Sequence, residues 1–155
     1  MNGAHLHLLL NHAPVLGTIG ALAIGVYGLL RHQRDVVTLA LGLLVLSGVL
    51  GFAAMQTGEG AEEVLEESVP SVSHDVIHEH EEMGEKAGWA SVVLGLVALG
   101  ALVAGRGDAG PKTGLVWGVM ALALVVSGLM VWTANLGGQI RHTEIRNGPV
   151  SQALD

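Results

Sequence analysis

Cysteine is absent from this 155-residue chain, which removes disulfides, thiolate metal sites and covalently attached c-type haem from consideration. Aromatic residues are nearly as scarce: one Phe, one Tyr and three Trp leave little flat surface to line a large planar cofactor. Charged residues make up only 14% of the sequence, while half of it is apolar and Gly occurs 23 times. With a mean hydropathy of +0.54, this composition is wrong for a soluble domain and right for a small integral membrane protein. The many small residues let membrane helices approach closely, where apolar burial cannot drive association. The net charge of −7 comes largely from one loop, so it describes that loop and does not point to a nucleic-acid partner.

A hydrocarbon core about 30 Å thick needs roughly 20 apolar residues at helical rise. Four stretches suit it, at about 13–30, 36–55, 88–105 and 114–135. They predict an all-α integral membrane four-helix bundle occupying 1–155 as a single domain, with an acidic, helical extramembrane segment over about 56–87. Pro14 suits the first turn of the first span, with Asn11 as its cap, and Gly137-Gly138 is expected to end the fourth. The start of the chain lacks the basic residues of a signal peptide, and Arg31-His32-Gln33-Arg34 stands where a small-residue cleavage site would belong, so the first span is read as retained. Arg31, Arg34, Arg106 and Lys112 occupy the short first and third loops. The middle loop carries ten carboxylates between Glu59 and Glu85 against a lone Lys86. By the positive-inside rule both termini and the acidic loop face outward, the periplasmic side of a bacterial inner membrane. Val45-Leu46-Ser47-Gly48 recurs at an offset of 80 as Val125-Val126-Ser127-Gly128, the kind of echo that two duplicated helical hairpins leave.

Four crossings gather seven of the eight histidines on one side. His5, His7 and His12 precede the first span, His74, His78 and His80 lie in the acidic segment, and His142 follows the fourth span; His32 alone falls opposite. Imidazole is the commonest metal ligand and titrates near neutral pH. Thr57 is placed to cap a helix whose Glu59, Glu62 or Glu63, and Glu66 form one stripe. A second helix beginning near Ser73 would carry His74, His78 and then Glu81 or Glu82 on one face, with His80 pointing away from His78. His12, at the edge of an apolar span, needs a partner because an unpaired polar group there is costly. The candidate metal ligands are therefore His12, Glu59, Glu62, His74, His78, Glu82 and His142, and the candidate cofactor ligands are His12, His78 and His142. His5 and His7 read as interfacial residues.

Four segments carry a resemblance: His7-Leu8-Leu9-Leu10-Asn11-His12-Ala13-Pro14, Thr57-Gly58-Glu59-Gly60-Ala61-Glu62, His78-Glu79-His80-Glu81, and Asn135-Leu136-Gly137-Gly138-Gln139-Ile140-Arg141-His142. Together they resemble bacterial four-span membrane proteins of the family called domain of unknown function 2231. The resemblance implies four helices with a His- and Glu-bearing outer face. Some members of that family sit beside Rieske or cytochrome modules, which implies a link to electron transfer.

Three functions fit these features. The first is a non-haem site for Fe, Mn or Zn with mixed imidazole and carboxylate ligands. The second is a b-type haem or quinone-linked electron-transfer subunit holding an imidazole pair between helices. The third is a structural or assembly subunit of a larger membrane or respiratory complex, its histidines responding to pH. Hydrolase and transporter readings fare worse, because there is no nucleophile constellation and no charged residue within a span.

Overall fold

The computed structural model describes residues 3–68, 74–107, 110–142 and 145–146. They form α1 (Gly3–Leu10), α2 (His12–Leu30), α3 (Arg34–Gln56), α4 (Gly58–Ser68), α5 (His74–Ala104) and α6 (Thr113–Arg141). Helices α2, α3, α5 and α6 contain the four stretches long and apolar enough to cross a membrane. The chain is an all-α, multi-pass membrane bundle. Each long helix packs on the next, α2 on α3, α3 on α5 and α5 on α6, and α6 returns to α2 to close the ring. Around the ring the four spanning helices α2, α3, α5 and α6 alternate in direction. One end of the bundle therefore holds seven histidines with α1 and α4, and the other holds Arg31, Arg34, Arg106 and Lys112.

The interior is built mainly from small residues. Ala21, Ala40, Ala98 and Ala123 are fully enclosed, whereas Leu16, Leu46, Leu96 and Leu124 point outward. That inversion follows from the solvent, since lipid tails accept leucine as readily as a protein core does and tight backbone contact is what holds the helices together. Among the spanning helices the closest backbone approach lies between α3 and α5. A Cβ added to Gly48 would stand 2.8 Å from Ser91 O and 3.1 Å from the Cα of Gly95. At the basic end the Arg34 guanidinium donates to Gly105 O at 3.5 Å and to Gly107 O, tying the last short loop to the start of α3.

Several boundaries differ from expectation. Asn11 does not cap α2 with its side chain; its backbone is helical (φ −62°, ψ −31°), and its N–H donates to His7 O at 2.8 Å. The break between α1 and α2 falls there because Pro14 has no N–H to offer Leu10 O, and its ring crowds that carbonyl. Gly137-Gly138 does not end α6, which continues to Arg141. Two interior glycines weaken a helix without breaking it, and His142 N still bonds Gly138 O at 3.0 Å. Thr57 stands immediately before α4, but its hydroxyl turns back to donate to Ala54 O at 2.8 Å. As expected, α5 runs without interruption from His74 into the third span. At ~46 Å it is longer than the hydrocarbon core, so its first turns stand clear of the membrane-spanning stretch. The expected break at Pro70 lies outside the described residues.

The α3–α5 contact makes a direct prediction. Gly48→Val forces backbone against backbone and should destabilise the bundle by about 1–3 kcal/mol, seen as a lower thermal midpoint in detergent. Gly42, whose added Cβ would meet nothing within 4 Å, should accept Ala without loss. Equal midpoints for Gly48→Val and wild type would contradict the packing.

Candidate functional site

At the histidine-bearing end, α1 lies against α4, and α1 also touches α2 and α3. This seat half-buries His7. Its Nδ1 stands 3.1 Å from Ala54 O and 3.2 Å from Thr57 Oγ1. A carbonyl oxygen only accepts, so Nδ1 must carry the proton and Nε2 is left with a free lone pair. His80 repeats the arrangement on the first turns of α5, with Nδ1 donating to Thr133 O of α6 at 3.0 Å. The Thr133 hydroxyl secures this corner, lying 3.1 Å from Met83 O on α5 and 3.0 Å from Leu129 O on its own helix. Gly137 gives the His80 ring its place, since a Cβ there would stand 2.9 Å from Cε1.

Four sequence segments come to this end of the bundle in two contacts. His7 meets Thr57, and His80 lies against Gly137. His7 and His80 both lie outside the apolar membrane-spanning stretches. Burial pushes His7 below the ordinary imidazole value, against the raising effect of its bond to Ala54, and the charges of His80 and His12 lower it further. Burial likewise lowers His80, opposed by the Thr133 carbonyl and by Glu81. Both rings are thus held neutral, the form that can donate a lone pair to a metal.

The ligands expected from sequence do not converge. His12, Glu59, His74, His78, Glu82 and His142 are all exposed, and Glu62 is partly buried on α4. His78 pairs with its own helix, its Nε2 3.7 Å from Glu82 and its Nδ1 4.0 Å from Glu81. With 73% of the His78 side chain exposed, such pairs contribute little. Glu82 also accepts from Lys86 at 3.2 Å. His12 turns outward at the start of α2 and reaches His7 through its charge alone. His142 follows the last turn of α6. Among the described residues, no group of three or more His, Asp or Glu side chains is placed to hold a metal ion.

What spacing missed was the inward-facing pair. The opposition of His80 to His78 was legible in helical periodicity, and it decides which of the two meets the bundle. His7 gave no comparable signal, because its seat depends on α1, the extension of α2, packing against α4. No family model, curated protein or solved structure matches this chain.

A pH dependence follows from the buried rings. Because the folded state disfavours their protonation, the unfolded chain takes up protons first as pH falls below about 6.5. The stability these rings contribute is present above that value and declines as pH drops toward their lower folded-state values. Thermal midpoints in detergent should therefore fall on mild acidification. The double variant His7→Asn, His80→Asn keeps an amide donor near each Nδ1 position and should flatten that slope. An unchanged slope in the double variant would remove these two rings as its source.

Proposed function

We propose that this membrane protein binds a transition-metal ion at its histidine-bearing end through Nε2 of His7 and His80, for redox chemistry or metal handling. The observation that carries the reading is the pair of Nδ1–H bonds to main-chain carbonyls. Ligating histidines almost always donate their other ring N–H in this way, which fixes the tautomer and the ring orientation. The donor set favours Fe or Zn over Mn, since both proposed ligands are imidazoles, which suit those ions. His12, whose charge reaches His7, is the further imidazole in reserve, and the remaining coordination positions fall to water or to a partner. Haem b is the second reading, favoured by one feature: the two imidazoles come from different helices, α1 and α5, as an axial pair requires.

The same proposal includes membership of the family resembling domain of unknown function 2231, supported by two contacts at one end of the bundle that pair its first segment with its second and its third with its fourth. It also places the protein in a bacterial inner membrane with the acidic, histidine-bearing end outward, supported by the four cations at the opposite end. Other subunits of a membrane or respiratory complex would be its partners.

Absorption spectroscopy and metal quantification on the detergent-purified protein, before and after incubation with Fe(II) or Zn(II), test this reading. Near-stoichiometric iron or zinc without a Soret band is expected. His7→Asn and His80→Asn should each lower metal affinity at least tenfold, Gly137→Ala should weaken it by displacing the His80 ring, and His78→Ala should leave it unchanged. A Soret band lost in both Asn variants would establish the haem reading instead. A protein that stays metal-free and colourless, or metal binding that survives both Asn substitutions, would overturn the site and leave the assembly-subunit reading.

A further inference from the structure

Four hydroxyl side chains, one from each spanning helix, are sealed inside the bundle: Thr18 of α2 at 0% exposure, Ser47 of α3 at 3%, Ser91 of α5 at 1% and Ser127 of α6 at 6%. The packing register puts three of them in one layer. Gly25 faces both Ala40 of α3 and Met120 of α6. Thr18, Ser47 and Ser127 each lie seven residues from that contact, about two turns, toward the histidine-bearing end. Ser91 of α5 lies about one turn nearer that end, its hydroxyl against Gly51.

This layer is not self-sufficient. Ser91, outside the layer, satisfies its own hydroxyl by donating to Gly88 O at 2.7 Å. Thr18 Oγ1 and Ser127 Oγ are fully buried and have no hydrogen-bond partner. Hydroxyls in apolar helices ordinarily turn back to a carbonyl of the preceding turn, and neither of these does so. Buried polar groups left unpaired are rare and costly, most of all at membrane depth.

We infer that the layer is a buried hydration site, with water bridging Thr18 and Ser127 on the adjoining helices α2 and α6. A buried water needs two or more polar partners, and these hydroxyls supply them. Water suits the site better than an ion, because every group in the layer is a neutral hydroxyl. One turn beyond the layer, away from the histidines, Ala21, Leu44 and Ala123 are fully buried and close the interior with apolar atoms. On the other side Asn11 Oδ1 is a further buried, unpartnered acceptor, two turns before Thr18. The polar groups therefore lie on the histidine-bearing side of an apolar stretch.

X-ray hydroxyl-radical footprinting of the whole protein in detergent tests this, since radicals formed from bound water oxidise the side chains beside it. Met130, 4% exposed and one turn from Ser127, reports on the layer; Met120, 2% exposed and two turns beyond it, is the dry control. In wild type Met130 should oxidise several-fold faster than Met120. In Thr18→Val, Ser127→Ala it should fall to the Met120 rate. Equal rates in wild type, or a Met130 rate unchanged in a folded double variant, would overturn the hydration site. If the double variant does not fold, the wild-type ratio decides alone.

Discussion

A bilayer interior offers no hydrogen bonds, and this constraint orders the whole molecule. Every backbone group at membrane depth must be paired within its own helix, so the chain crosses as four helices and confines its irregular backbone and ionisable chemistry to their ends. An even number of crossings then decides which polar residues meet. Residues as distant in sequence as His7, Thr57, His80 and Gly137 come to one end of the ring.

Small residues in the spans and polar groups at the ends are two parts of one solution. Helices that approach through Gly48, Gly95 and the enclosed alanines leave no internal space for a large ligand at mid-depth. Chemistry is pushed to where α1 and α4 cap the bundle. There the main chain supplies two carbonyls, Ala54 O and Thr133 O, as fixed acceptors for two imidazoles. Orientation by main chain is more rigid than orientation by a side chain, because the carbonyl belongs to a helix that lipid and packing hold in place. The buried hydroxyl layer is the exception to the apolar interior, and its unpaired oxygens carry the polar character of that end some way into the bundle.

Much of the fold was legible because its signals are long. Twenty-residue apolar runs and loop charge gave the four helices to within a few residues at most ends, and the uninterrupted course of α5 followed from helical periodicity through His74, His78 and Glu82. Shorter signals misled where context overruled them. Gly137-Gly138 reads as a stop but is the gap that seats a histidine ring. Asn11 reads as a cap but lies within nearly continuous helix. The site was half legible. Spacing located the histidines and put His80 opposite His78, while the abundance of carboxylates drew attention to the solvated face. The choice between faces is a tertiary matter: His80 meets α6 because α5 packs there, and His7 is enclosed because α1 packs against α4. The hydroxyl layer was hidden for a related reason, since a Ser or Thr within a span acquires meaning only when packing brings hydroxyls of neighbouring helices level.

The central claim is that main-chain carbonyls lock two neutral imidazoles with Nε2 free. Nitrogen-15 NMR of the imidazole rings in the metal-free protein, recorded above pH 7.5, reads this directly. His7 and His80 should each appear as a single Nδ1–H tautomer. Finding the proton on Nε2 of His7 and His80, or tautomer averaging in both, would contradict the account.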